Sequence, residues 1–170
     1  LDGINLSMTS LLDGVQRYSK NWYGIDQLYR KFTYHVRQAI EHTLMQHLSA
    51  QIENLYTNNF LLRINDNWQV FVDQAESWSI PDVLHQRDFF ATLVQPYLDR
   101  GNKIFVIISD ALRYEVAEEF VRLIRREDRY EAEIAPAVTG LPSYTQLGMA
   151  ALLPHTHLSI RPDKGSGVVY

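Results

Sequence analysis

The 170-residue sequence contains no cysteine. That excludes disulfide cross-links and thiolate metal sites, and it suits a reducing compartment. Long apolar runs are also missing: the longest, at 104–108 and 149–153, are five residues, where a membrane-spanning helix needs about 20. No cationic stretch followed by an apolar one opens the chain. The expectation is a soluble, cytoplasmic protein with no membrane association. Charge of one sign is not in excess either. Residues 1–100 carry eight Lys/Arg against eleven Asp/Glu, and residues 101–170 carry eight against nine, so no basic field marks a nucleic-acid surface. Apolar residues are plentiful. They make up 46% of the chain, with three Trp, ten Tyr and seven Phe, enough for a packed core rather than a disordered chain.

Two rhythms divide the sequence. In the first part, Trp22, Ile25, Tyr29, Phe32, Val36 and Ile40 step by three or four residues, and Leu44, Leu48, Ile52 and Leu55 continue the stripe. Asn58-Asn59 reads as a stop, and Asn65-Asp66-Asn67 as a cap for a helix carrying Trp68, Phe71, Val72, Ala75 and Trp78. Pro81 suits the first turn of a helix running toward Leu98, which Pro96 kinks or ends. Residues 1–100 are expected to be a helical region.

From Lys103 the pattern changes. The run Ile-Phe-Val-Ile-Ile at 104–108, bounded by Gly101 and by Ser109-Asp110, suits a strand over 103–109 buried on both faces of a sheet. A helix over about 113–127 follows, with Val116, Phe120, Leu123 and Ile124 as its buried stripe. Then come a short strand over 130–135, a loop over 136–144 and a helix over 145–153 whose Leu147, Ala151 and Leu152 turn inward. A βαβα order of this kind opens a parallel α/β sheet with right-handed crossovers. Two strands do not make a stable covered sheet, and 163–170 reads as the approach to another strand. The expected class is α/β, with 101–170 the start of a larger α/β domain.

Two positions in that second part carry chemistry. Asp110 ends the apolar run, and in open α/β sheets ligands bind outside the carboxyl ends of strands. Its carboxylate reads either as a hard oxygen ligand for a divalent metal or as the N-cap of the next helix. Thr145 stands where the turn Leu141-Pro-Ser-Tyr-Thr145 enters an apolar helix. Unpaired N–H groups and the positive dipole end there favour phosphate. A threonine hydroxyl is a nucleophile once a base or metal activates it, but Ser143 and Thr145 read equally as caps. Arg113 reads as a phosphate contact or as a salt-bridge partner of Glu115 or another neighbour. Arg122, Arg125, Arg126 and Arg129 alternate with Glu118, Glu119, Glu127 and Asp128 and read as a solvated helix face. His155 and His157 read as loop residues. His35, His42 and His47 make no HExxH pair. Gly165-Ser-Gly167 lacks the lysine of a P-loop and reads as a turn.

Taken together, VIISDALRYE and LPSYTQLGMAALLP resemble the alkaline phosphatase superfamily, and within it the PglZ domain of BREX phage-defence systems, over about 102–170. The resemblance implies an N-terminal helical region (1–100) followed by the first βαβα units of an alkaline-phosphatase-like parallel sheet, incomplete in these residues (101–170). It implies Asp110 as a metal ligand, Thr145 as both nucleophile and metal contact, and a divalent metal, zinc, with two ions in the complete domain. The superfamily's remaining Asp and His ligands lie beyond Tyr170. The implied activity is metal-dependent hydrolysis of phosphate esters or nucleic acid alongside other BREX defence proteins, with the 170 residues alone inactive. The competing reading is a non-catalytic scaffold or interaction module of a defence complex.

Overall fold

The structure, a computed structural model, describes residues 3–39 and 42–159. It divides into two compact units, 1–76 with 113–134 and 77–112 with 135–170, so the chain leaves the first unit and returns to it once.

The first unit is helical: α1 (Leu11–Arg17), α2 (Tyr23–Gln38), α3 (His42–Asn54), α4 (Leu62–Gln74) and, from the later stretch, a helix over Tyr114–Ile124. Ser10 caps α1 by accepting from the Asp13 N–H. The apolar stripe is shared between α2 and α3, because the chain turns extended at Ala39. Asn58-Asn59 does not stop the chain, as the sequence suggested. The segment Leu55–Leu61 widens into a π-helical turn that runs straight into α4, and Asn65–Asn67 lies inside that helix rather than capping it. Burial explains the difference. The π turn aims Phe60 into the core beside Leu6, Met8 and Trp22, and Asn67 donates to the Leu6 carbonyl at 3.0 Å. Gly14 is required where α1 meets α4, because a Cβ there would lie 2.9 Å from both Met8 Sδ and the Trp68 ring.

The second unit contains β1 (Leu84–His85), a short 3₁₀ turn (Gln86–Asp88), a π-helical turn (Phe90–Val94), α5 (Gln95–Asp99), β2 (Ala137–Val138) and the helix Thr145–Leu152. Numbered in chain order, Tyr114–Ile124 is α6 and Thr145–Leu152 is α7. Pro96 does not end the helix: α5 follows the π-helical turn Phe90–Val94 without a break, and that widened turn accommodates the N–H that Pro96 lacks. β1 and β2 pair in parallel, Leu84 with Ala137 and His85 with Val138. Among the described residues, Ile80, Val94, Val138 and Ala151 are the buried apolar residues of this unit.

The chain thus has the expected α/β class, with an incomplete parallel sheet, but the strands differ from those expected. Residues 103–109 join no ladder among the described residues, with Phe105 82% and Ile107 91% exposed. Residues 130–135 form no strand, and pairing begins two residues later at Ala137. A strand buried on both faces requires ladder partners and covering helices, and the described residues supply neither to Phe105 and Ile107. The same reason turns α6: of its expected stripe Val116 and Ile124 are half-buried but Phe120 and Leu123 are exposed, while Val121 and Glu115 are buried. Its charged face packs on α2 instead. Gly165-Ser-Gly167 and the strand approach expected at 163–170 lie outside the described residues.

Candidate functional site

Asp110 stands in a tight turn after the apolar run, followed by Ala111 at φ 54°, a left-handed conformation uncommon for a residue with a Cβ. Its side chain is exposed. It does not cap α6: the residue at that position is Arg113, which makes no side-chain cap bond. Thr145 is the first residue of α7 and is exposed as well. The N-cap there is Tyr144, in extended conformation and again without a side-chain cap bond. The preceding Leu141–Pro142 peptide is cis. Both positions therefore present an oxygen to solvent that helix capping does not consume. Ala151 of α7 is buried, and Leu147 lies close to Gly140, so the helix turns this face inward as its pattern predicts.

Asp110 and Thr145 belong to the same unit, and no hydrogen bond joins them among the described residues. The strand at 103–109, whose carboxyl end the sequence offered as the place for Asp110 to meet a ligand, does not form. Among the described residues no three His, Cys, Asp or Glu side chains are grouped to hold a metal ion. Catalytic zinc takes three protein ligands plus water. The two oxygens offered by Asp110 and Thr145 do not by themselves make a zinc site. His155 is exposed, with Nδ1 2.7 Å from the Leu153 carbonyl, and His157 is exposed nearby; both match a loop role.

Arg113 is an ion-pair residue, as one sequence reading had it, and it has two partners: Asp26 at 3.4 Å and Glu115 at 3.8 Å. It belongs to a polar network in the first unit that the sequence did not announce. Glu115 is 0% exposed and accepts from Arg30 Nε at 3.0 and 2.9 Å, while Gln27 donates to its backbone carbonyl at 3.1 Å. Buried Asp26 accepts from the Tyr18 hydroxyl and from Tyr56 at 2.8 Å. Burial first, then the hydrogen bond to Asp26, pushes the Tyr56 phenol up to about 12, and the same causes raise Tyr18 further. Arg30 and Lys31 both pair with Glu119, and Arg122 pairs with Glu118 at 2.8 Å. The only sequence trace of this network is the run of carboxylates at 115, 118 and 119, one helical face that reads equally well as solvated.

The relatives bear on the same segment. A profile of the BREX system PglZ alkaline phosphatase-like domain matches residues 89–169. The alkaline phosphatase-like protein BrxZ of Escherichia coli O9:H4 (strain HS) is 40% identical over 163 residues, covering 90% of this chain and 18% of its own length. The alkaline phosphatase-like protein PglZ of Bacillus cereus (strain H3081.97) is 36% identical over 153 residues, covering 89% of this chain and 18% of its own length. The chain thus spans less than a fifth of the length of either curated relative. No solved structure matches it. Asp110 and Thr145 both fall inside the matched stretch, and with the profile and both relatives in agreement the chain carries, at residues 89–169, part of a PglZ alkaline phosphatase-like domain.

Proposed function

We propose that this chain belongs to a metal-dependent phosphoric ester hydrolase acting in BREX phage defence in the cytoplasm beside other proteins of that system. Asp110 and Thr145 are its contribution to the reacting centre. The observation that carries the reading is that two exposed oxygens, one closing an apolar run and one opening α7, both escape capping within the stretch matched to the family. Thr145 Oγ1 would attack phosphorus and release the alcohol, and water would then hydrolyse the phosphothreonine, returning the hydroxyl and freeing phosphate. The unpaired N–H groups at the start of α7 favour the phosphoryl oxygens during both steps. Asp110 would be one ligand of a divalent metal, zinc by the character of the superfamily, with two ions in the whole protein and the remaining ligands supplied outside the described residues. Such ions neutralise developing charge on the attacking and leaving oxygens.

The test uses the whole protein. Thr145→Ala and Asp110→Ala are each expected to lower turnover of a chromogenic phosphate ester in added zinc by at least about 10²-fold, the scale on which losing a nucleophile or a metal ligand registers. Wild-type rates in both variants would leave the competing reading, a scaffold module without catalysis. That reading draws on the incomplete donor set among the described residues.

A further inference from the structure

In the second unit a cleft of about 560 Å³ opens between the π-helical turn Phe90–Val94 and the segment that follows α7. We propose that it binds a small organic phosphate with a flat apolar body, of the nucleoside monophosphate kind, at a site separate from Thr145. This inference does not rest on the hydrolase reading. Its volume falls within the range of small-molecule sites, roughly 300–1,000 Å³. The polar lining comes from Arg87, Gln95, His155 and Thr156, while Phe90 and Pro154 are among the apolar residues, and no carboxylate lines it.

The lining sets the ligand class. Arg87 is 61% exposed and only loosely engaged, its Nε 3.8 Å from Asp88 Oδ2. Most of its donor fork is free for the bidentate contact that phosphate favours. His155 Nδ1 is committed to the Leu153 carbonyl at 2.7 Å, which orients the ring and leaves Nε2 as the nitrogen available to a ligand. Gln95 Nε2 donates to Asp99 at 2.7 Å, so the free end of that carboxamide is its oxygen, an acceptor for a sugar hydroxyl or ring amine. Phe90 and Pro154 supply apolar surface for a ring. A bare inorganic anion would leave this apolar wall unused, and an uncharged ring would leave Arg87 unused. α7 is eight residues long. At about 1.5 Å per residue it separates Thr145 from the cleft by roughly 10 Å of helix.

The test is calorimetric titration of the whole protein with AMP, with adenosine and inorganic phosphate as comparison probes. AMP is expected to bind more tightly than either. Arg87→Ala, which removes an exposed side chain, is expected to weaken AMP about tenfold, the effect of losing one charge-assisted contact. Ala91→Trp, which fills the cleft, is expected to abolish binding, and Thr145→Ala is expected to leave the affinity unchanged. Loss of AMP binding in Thr145→Ala with full retention in Arg87→Ala would move the ligand to the candidate reacting centre and overturn the inference. So would no AMP binding at all, or equal binding of inorganic phosphate. Because the readout is binding, an inactive protein that still binds AMP through Arg87 separates failure of the hydrolase reading from failure of this one.

Discussion

Glu115 shows how a single carboxylate decides which face of a helix is buried. Arg30 lies against both oxygens of the Glu115 carboxylate, so a carboxamide there sets an NH2 group against Arg30 and leaves buried donors without an acceptor, while the Gln27 bond to the backbone carbonyl is kept. Such orphaned groups cost about 1–3 kcal/mol each. Glu115→Gln is therefore expected to lower the unfolding free energy of the chain by about that amount in urea titration. Glu119→Gln, whose carboxylate is more exposed, should cost no more than about 1 kcal/mol. Equal small costs would show that the buried pair does not hold α6. The tyrosines around Asp26 add a pH dependence. Tyr56 is raised from 10.0 to about 12 by burial and by its bond to Asp26, so the folded state keeps a proton that the unfolded chain releases. The stability this confers is fully present below about pH 10 and is lost as pH rises through about 12. Tyr56→Phe should remove its share of the alkaline dependence and leave that of Tyr18, followed by thermal unfolding across pH 9–12 together with tyrosinate absorbance. At Gly14 the constraint is space. Gly14→Ala gains about 1 kcal/mol of helix propensity yet drives a Cβ to 2.9 Å from Met8 and Trp68. Overpacking of that kind costs about 1–3 kcal/mol, so a lowered melting temperature is expected.

Among the elements, the run 103–109 and helix α6 share one condition: each has an apolar surface that nothing among the described residues covers. Phe105, Ile107, Phe120 and Leu123 are all exposed. Exposed apolar surface of this kind is an aggregation liability rather than a source of stability. In the 170-residue chain, Ile107→Lys should change the unfolding free energy by no more than about 0.5 kcal/mol, the ordinary range for exposed positions, and should reduce light scattering on heating. A loss of several kcal/mol would show that Ile107 is packed in solution. The π-helical turns follow a different logic. At Leu55–Leu61 the extra residue aims Phe60 into the core, and at Phe90–Val94 it precedes Pro96, which lacks the N–H for a regular turn.

At the scale of the whole molecule, two compact units share one chain, and the helix α6, within the stretch matched to the PglZ family, belongs by its contacts to the unit that contains residues 1–76. The relatives align across about nine-tenths of the chain, including that helical region. Both relatives thus match this chain on both sides of residue 89, where the match to the PglZ domain begins. The donor count yields a prediction for the chain taken by itself: with two candidate oxygens and no group of three ligands among the described residues, it should bind zinc weakly and turn over no phosphate ester. Tight stoichiometric binding in calorimetry that vanishes in Asp110→Ala would refute this and would bring in His155 or His157 as a further ligand.

Composition and pattern alone determined the helical character of the first part and the two motifs that carry the family likeness. These depend on local periodicity, on turn chemistry and on the wording around Asp110 and Thr145. The α/β class is as expected, but through β1 and β2 rather than the strands the pattern placed. Tertiary structure decided the rest. Whether Lys103–Ser109 becomes a strand depends on ladder partners far away in sequence. Which face of α6 is buried depends on whether a sheet or the Arg30 and Lys31 side chains of α2 lie against it. Whether Asp110 and Thr145 cap helices depends on where α6 and α7 begin, at Tyr114 and Thr145. A residue pattern records the preference of each segment, and only packing against its neighbours determines which preference is satisfied.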